Sequence, residues 1–331
     1  MANRDIIVIG ASAGGVDALK RLTKELPPGF PATIFIVMHV AAHSPGYLPE
    51  ILTRAGPLPA THPRDNEMFE RGRIYVAPPD YHLIVEAPDR IRLTRGPKEN
   101  RSRPAIEPLF RSAGLVFGRR VVGVVLTGHL NDGTAGLRTV KDFGGVAIVQ
   151  SPADAEAPSM PDSALRHVVV DHCLPLSEIP STLAELTKET IATSDDAERS
   201  RMSKELEIEV NIAREVTARD ERVVELGEPS IFTCPDCHGS LLQLRDQRPL
   251  RYRCHRGHAF TADSLLAELS ENIERSIWTS IRSIEECAML LRLMAEHLHG
   301  LAQEDVGKQF LRRAADAQRR ADLMRQAVAV E

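Results

Sequence analysis

Apolar runs and amphipathic segments alternate along the first 190 or so residues of the chain. Ile6-Ile7-Val8-Ile9 is typical of a fully buried strand, and residues 16–22, which follow it, have the apolar spacing of a helix. The same alternation continues with strand-like runs at residues 33–38, 73–77, 121–126 and 145–150 and helix-like segments at 47–54, 107–117 and 134–143. This order predicts an α/β fold with a parallel, doubly wound sheet.

Residues 81–93 interrupt that alternation. Two short strand-like runs, 82–85 and 90–93, lie on either side of Ala87-Pro88-Asp89. Two strands joined by so short a turn predict an antiparallel hairpin within the otherwise parallel pattern.

The pattern changes again beyond about residue 185, and it predicts four regions in all. Residues 1–190 form the main domain, and 191–228, rich in charge, a linker with one or two exposed helices. Residues 229–260 form a compact module that contains a cysteine cluster. In 261–331 apolar residues recur every three and four positions, with a break at His299-Gly300, which predicts a helical hairpin. Its helices either pack only against each other or also serve self-association or the docking of a partner.

Composition and charge narrow the functional classes. The 331 residues carry a net charge of −5 and show no basic stripe, which argues against nucleic acid as the main partner. Apolar runs stay well below the roughly 18 residues that span a bilayer, so the chain is not expected to be membrane-embedded. Met1 leads almost directly into a strand, and we expect no signal peptide.

The five cysteines are informative because their number is odd and three of them are clustered. This usage favours metal ligation in a reducing cytoplasm over disulfide bonding. The other two, Cys173 and Cys287, have apolar neighbours along the chain and are expected to be buried.

Ser12 stands on a glycine-rich turn, Gly10-Ala11-Ser12-Ala13-Gly14-Gly15, between the first strand and the first helix. Such an elbow lifts a side chain beside backbone N–H groups and the positive end of a helix. The geometry suits a nucleophile whose reaction develops an oxyanion, and it equally suits a phosphate. A dinucleotide site would need an acidic residue at the end of the second strand, where this chain has His39.

A third strand runs into a loop that contains Asp132. Because the ends of parallel strands meet at one edge of a sheet, Ser12, His39 and Asp132 are expected to come together. These types suit a nucleophile, a general base and an orienting carboxylate for acyl transfer. The backbone N–H groups of Ala13, His129 and Leu130 are the candidate oxyanion donors.

The cysteine cluster has the spacing of a zinc ribbon. Cys234 and Cys237 stand in one tight turn, and Cys254 and His258 follow in a second. Four protein ligands close a tetrahedron, so the predicted zinc is structural and no cofactor is expected for catalysis. His255 should point away, and a redox Cys-x-x-Cys is the competing interpretation.

From about Asp5 to Thr190 the chain resembles the catalytic domain of the CheB protein-glutamate methylesterases of bacterial chemotaxis. The shared motifs follow the family's order: the Ser12 turn, His39 after a strand, Gly72-Arg73-Ile74-Tyr75-Val76-Ala77-Pro78-Pro79-Asp80-Tyr81-His82, Leu109-Phe110-Arg111-Ser112-Ala113, Leu126-Thr127-Gly128 with Asn131-Asp132-Gly133, and Gln150 with Ser159-Met160-Pro161-Asp162-Ser163-Ala164. The resemblance implies a catalytic triad at Ser12, His39 and Asp132. It also implies hydrolysis of glutamyl methyl esters on chemoreceptors and, in many members, deamidation of glutamine.

Two local departures from the family pattern leave other functions open. Ala13 stands where the family commonly has threonine, and Gly128-His129-Leu130 where it commonly has Gly-Met-Gly. An esterase or deamidase for another protein substrate is one alternative, and a signalling adaptor with a vestigial triad is the other. Chemotaxis methylesterases also usually begin with a receiver domain. This chain starts at the catalytic strand, so control is expected from the C-terminal segment or from a separate partner.

Overall fold

A parallel seven-stranded sheet forms the centre of the fold in a computed structural model that describes residues 2–191, 199–214, 221–300 and 304–328. Its strands are β2 (Ile6–Ala11), β3 (Thr33–Met38), β4 (Ala60–Thr61), β5 (Ile74–Val76), β8 (Val121–Val125), β9 (Val146–Gln150) and β10 (His172–Leu174). They lie in the order β10-β9-β8-β2-β3-β5-β4. Every residue of β2, β3 and β8 is buried, as expected for central strands of a sheet covered on both faces. The predicted fold class is confirmed.

Helices cover both faces of the sheet, and their amphipathic faces form its two apolar cores. The helices of this part are α1 (Gly15–Lys24), α2 (Leu48–Ala55), α3 (Ile106–Phe117), α4 (Thr134–Asp142), α5 (Ser159–His167) and α6 (Ile179–Leu186). Short 3₁₀ turns lie at Gly118–Arg120 and Leu176–Glu178. β1 (Ala2–Asn3) and β11 (Thr190–Ile191) pair antiparallel and so join the two ends of this part of the chain.

The predicted hairpin is confirmed as a separate two-stranded sheet. Its strands are β6 (His82–Glu86) and β7 (Arg90–Thr94), which pair antiparallel across a three-residue connection. Buried residues of the hairpin, among them Leu83, Val85 and Ile91, pack into the same core as α3.

The segment between residues 191 and 228 differs from the prediction. Residues 192–198 and 215–220 lie outside the described part, but α7 (Arg199–Arg214) buries Ile208, Val210 and Ile212, so it is not an exposed helix. Its charged composition was misleading because Glu209, buried with them, is paired with Arg251 and Arg253 of the cysteine module. A 3₁₀ turn, Glu221–Leu226, follows and joins its apolar cluster.

The cysteine module is a four-stranded antiparallel sheet in the order of the chain. Its strands are β12 (Gly227–Thr233), β13 (Ser240–Gln247), β14 (Leu250–Cys254) and β15 (Ala259–Thr261). The chain separates into two compact units, Met1–Leu265 and Leu266–Glu331, so the module belongs to the same unit as the parallel sheet.

Two long helices, α8 (Ala262–Gly300) and α9 (Glu304–Val328), supply the second unit, as predicted. Arg292 of α8 donates to Gln318 of α9, and Arg325 pairs with Glu285, so the helices run antiparallel. Their contact is lined by small buried residues seven positions apart: Ala288 and Ala295 on α8, and Gly307, Ala314 and Ala321 on α9.

The prediction that Cys173 and Cys287 are buried is wrong. Both side chains are exposed. Cys173 lies on β10, the edge strand of the parallel sheet, and Cys287 lies on a face of α8 that α9 leaves uncovered. Among the described helices, none combines the length and apolar character needed to cross a membrane.

Candidate active site

Ser12 lies at the end of β2 on the turn that leads into α1. Its backbone N–H donates to the Thr127 carbonyl (2.9 Å), and its own carbonyl accepts from the N–H of Gly15 (2.8 Å). Gly14 has φ of 72°, a left-handed conformation that a glycine adopts at little cost. The turn is therefore fixed by backbone contacts on both sides of the serine.

Gly128, in the loop after β8, passes directly beside Ser12. A Cβ atom at this position would lie 2.1 Å from Met160 Sδ and 2.8 Å from Ser12 Cβ. Only a residue without a side chain lets the two loops approach this closely. Thr127 reinforces the contact, since its hydroxyl donates to the Ala13 carbonyl (2.8 Å).

His39 follows β3 and lies between the other two side chains. Its Nδ1 is 3.2 Å from Ser12 Oγ, and its Nε2 is 2.7 Å from Asp132 Oδ2. A carboxylate can only accept, so Nε2 carries a proton and Nδ1 is left to accept one from the serine. Ser12 and Asp132 therefore both lie in hydrogen-bond reach of His39, as their places after parallel strands predict, and the side chains of His39 and Asp132 are 16% and 3% exposed.

Both carboxylate oxygens of Asp132 are held. Oδ2 also accepts from the Ile106 N–H (2.7 Å), and Oδ1 accepts from Asn100 Nδ2 (2.9 Å). Burial raises the pKa of Asp132, but the hydrogen bond and electrostatic attraction of His39, with the hydrogen bonds from Asn100 and the Ile106 N–H, outweigh it and keep the pKa below its ordinary value. The carboxylate is thus ionised and fixed in orientation.

The predicted oxyanion donors lie on the two loops that Gly128 brings together. Ala13 follows the serine, and His129 and Leu130 follow Gly128. Leu130 has φ of 63°, so the backbone turns sharply at this point, and His129 is exposed. The oxyanion role of these three N–H groups stays a prediction.

Glu107 is a second buried carboxyl group beside Asp132. Its Oε1 accepts from the N–H groups of Gly133 and Ala135 at the start of α4 (3.1 and 3.0 Å). Burial, followed by the negative charge of Asp132, raises the pKa of Glu107 to about 8, although Arg111 lies 3.9 Å away and opposes the change. At neutral pH one of the two neighbouring carboxyl groups is therefore neutral and the other charged.

The four predicted metal ligands also come together. Cys234, Cys237, Cys254 and His258 have ligand atoms that all lie within 4.8 Å of one another. Cys254 Sγ is 3.6 Å from Cys237 Sγ and 3.5 Å from His258 Nδ1, close to the spacing that bonds of about 2.0–2.3 Å impose around a tetrahedral zinc ion. The donor set fits zinc, and His255 lies outside this group.

Asn100 and Glu107 were not found by the sequence reasoning. Asn100 stands in a polar run that reads as a loop, and the groups that it contacts lie 32 and more residues away along the chain. Glu107 is the first residue of the helix-like segment 107–117, where an acidic side chain is common. No local sequence pattern marks either polar residue as buried.

The comparisons with known proteins agree with this geometry. The profile of the CheB methylesterase family matches residues 7–183. A protein of Leptospira interrogans, provisionally named protein-glutamate methylesterase/protein-glutamine glutaminase, is 38% identical over 189 residues, which are 57% of this chain and 98% of that protein. A protein-glutamate methylesterase/protein-glutamine glutaminase of Anaeromyxobacter dehalogenans is 38% identical over 187 residues, or 56% of this chain and 54% of that protein. The crystal structure of the Thermotoga maritima CheB methylesterase catalytic domain superposes with a TM-score of 0.54 at 32% identity and covers 56% of this chain and all of the other.

Proposed function

Because the chain belongs to the CheB methylesterase family, we propose that it is a serine hydrolase that removes methyl esters from glutamyl residues of chemoreceptor-like proteins. The observation that carries this proposal is the Ser12–His39–Asp132 arrangement, with contacts of 3.2 and 2.7 Å. The named relatives, one of them matched over 98% of its length, support the same reaction class.

In the proposed reaction Ser12 Oγ attacks the ester carbonyl while His39 Nδ1 takes the hydroxyl proton. The tetrahedral intermediate collapses, and the same proton passes to the leaving methoxide, so methanol departs and an acyl ester on Ser12 remains. Water, deprotonated by His39, then hydrolyses that ester to a glutamate and free Ser12. Asp132 holds the imidazole tautomer and stabilises the imidazolium through Nε2. Backbone N–H groups of Ala13, His129 and Leu130 are proposed to bind the oxyanion.

The same chemistry extends to glutamine. An amide carbonyl presents the same electrophile, and ammonia replaces methanol as the leaving group when His39 supplies its proton. Relatives whose names include protein-glutamine glutaminase support this second activity at the same site.

The cysteine module is proposed to bind one structural zinc ion through Cys234, Cys237, Cys254 and His258. Four protein ligands leave no position for substrate, so zinc would stabilise the module and take no part in the hydrolysis. Thiolate ligands of this kind are compatible with the cytoplasm, where we place the reaction.

The test is methanol release from methylated chemoreceptor membranes by the wild type, Ser12→Ala and the control Ser181→Ala, an exposed serine on α6. We expect release by the wild type and the control and background release by Ser12→Ala. Mass spectrometry of the same receptors tests glutamine deamidation. Equal background for all three proteins would contradict the receptor assignment. Hydrolysis of a small ester that still needs Ser12 would then indicate another substrate, and none at all would favour the adaptor.

A further inference from the structure

Asn100 connects the candidate catalytic carboxylate to the start of α8. Its Nδ2 donates to Asp132 Oδ1 (2.9 Å), while its Oδ1 accepts from the Thr261 N–H (2.9 Å) and from Ser264 Oγ (3.0 Å). Asp132 can only accept and a backbone N–H can only donate, so the amide has one possible orientation. All four residues are buried.

The backbone of Asn100 is held by the same part of the chain. Its N–H donates to the Ala259 carbonyl (2.8 Å), and the Ala259 N–H donates to the Lys98 carbonyl (3.2 Å), so β15 pairs with the loop that carries Asn100. Asn100 itself has φ of 48°, in the left-handed region. The position of its side chain therefore depends on residues that directly follow the proposed metal ligands.

A second connection reaches the residue next to Asp132. Thr261 Oγ donates to Asn131 Oδ1 (2.6 Å), and Asn131 Nδ2 donates to Asp263 Oδ2 (2.7 Å). Residues 261–264 thus hold both the loop of Asp132 and the amide that contacts its carboxylate. The contacts are polar and directional, and every residue that makes them except Asp263 is buried. Buried polar contacts of this kind order side chains strongly.

We infer that Asn100 is a positioning residue of the triad and that residues 259–264, which are β15 and the first turn of α8, support it. Ester hydrolysis by the main domain then depends on the end of the cysteine module and the start of α8. This inference rests on the proposed function. Asn100 and Ile106 fix the two oxygens of Asp132, and Asp132 fixes the ring of His39. A shift of β15 or of the first turn of α8 would turn the carboxylate and misalign the base.

The test combines kinetics with a spectroscopic signal of the His39–Asp132 hydrogen bond, the low-field proton resonance of His39 Nε2–H. Asn100→Gly removes the amide and tolerates the left-handed backbone. The double variant Thr261→Ala/Ser264→Ala removes two hydroxyls of the support. Its matched control is Ser181→Ala/Thr182→Ala, which removes two hydroxyls of α6 that donate to the Glu178 carbonyl.

For Asn100→Gly we expect kcat to fall about 10- to 100-fold, as loss of a hydrogen bond to a charged group implies, with KM nearly unchanged. The resonance should shift or broaden. Thr261→Ala/Ser264→Ala should lower kcat and shift the resonance in the same direction, but by less. Thr261→Ser/Ser264→Ala should recover part of the lost kcat, and the control should match the wild type.

Wild-type kcat with an unchanged resonance in Asn100→Gly would overturn the inference, and so would a response of the control as large as that of the support variant. The resonance tests the positioning role of Asn100 independently of the proposed function. If methanol release does not need Ser12 but the resonance responds to Asn100→Gly, the proposed function fails while the connection from the module to Asp132 stands.

Discussion

At the scale of single residues, the candidate site keeps two buried carboxyl groups in different protonation states. Asp132 is ionised because His39 and Asn100 donate to it, whereas Glu107 accepts only from backbone N–H groups and its pKa is about 8. Its second oxygen, Oε2, has no hydrogen-bond partner among the described residues. A neutral Glu107 avoids placing a second negative charge beside Asp132, whose carboxylate accepts from His39.

This arrangement predicts a pH-dependent stability that Glu107→Gln should remove. The pKa of Glu107 rises from 4.5 to about 8 on folding, so between these values the folded protein holds a proton that the unfolded chain releases. The stabilisation that protonated Glu107 contributes is therefore fully present below pH 4.5 and is lost as the pH rises to about 8. The free energy of unfolding falls over this range by at most roughly 1.4 kcal/mol per pH unit.

Urea unfolding at several pH values between 5 and 8 measures this slope. Glutamine keeps an acceptor for Gly133 and Ala135 and does not titrate, so Glu107→Gln should flatten the slope and be more stable than the wild type at pH 8. Glu185→Gln, on the exposed side of α6, should keep the wild-type slope. An unchanged slope in Glu107→Gln would contradict the assignment of a neutral Glu107.

The residue scale also shows what the sequence could predict about the site. Ser12, His39 and Asp132 follow three buried apolar strands, and the rule that parallel strands end at one edge brings them together. Asn100 could not be predicted in this way. Its contacts run to Asp132 and to residues 161 and 164 positions away, and no periodicity links such distant polar groups.

At the scale of elements, the cysteine module has little apolar core of its own. Leu241 and Leu244 of β13 and Tyr252 and Phe260 of β14 and β15 are its large buried apolar residues. A small sheet of this kind generally needs a further stabilising element, such as a disulfide or a metal ion. The proposed zinc would stabilise the module because its binding free energy becomes folding free energy.

Chelation should therefore loosen the module before the parallel sheet. We expect hydrogen exchange to accelerate in residues 229–260 after zinc removal, while the amides of β2 and β8 stay protected. His258→Ala should lower the zinc content, whereas His255→Ala, an exposed histidine in the same turn, should keep it. Equal zinc content in the two variants, or unchanged exchange after chelation, would contradict the proposed ligands.

The sequence predicted most helices correctly but was wrong about the exposure of α7. The apolar periods of α1, α4 and the tail helices predicted their positions to within a few residues. The charged composition of α7 predicted an exposed helix. Its Glu209 is instead buried, because Arg251 and Arg253 lie opposite it and compensate its charge. Polarity along one segment cannot reveal that a distant segment supplies the counter-charges.

At the scale of the first compact unit, one buried charge cluster joins three regions of the chain. Glu99 precedes α3, Arg111 is on α3, Glu209 is on α7 and Arg253 is on β14. Burial raises the pKa of Glu99, but the positive charges of Arg111 and Arg253 outweigh it and hold that pKa below its ordinary value. The cluster attaches the cysteine module to the main domain at the same place where Asn100 contacts Asp132.

Removing one cation from this cluster should destabilise the unit strongly. Arg253→Met leaves the two buried carboxylates of Glu99 and Glu209 undercompensated, and we expect a loss of about 3 kcal/mol or more in the free energy of unfolding. Arg256→Met, an exposed arginine of the same module, should change it by about 0.5 kcal/mol or less. Urea unfolding of both variants measures the difference, and equal small losses would show that the cluster does not join the regions.

Mass spectrometry of an acid-quenched reaction with methylated receptor tests directly whether Ser12 carries an acyl group during ester hydrolysis. We expect a receptor glutamyl peptide ester-linked to the Ser12 peptide of the wild type, and neither the linked peptide nor methanol with Ser12→Ala. Methanol release by Ser12→Ala at the wild-type rate, with no linked peptide from either protein, would contradict this role of Ser12.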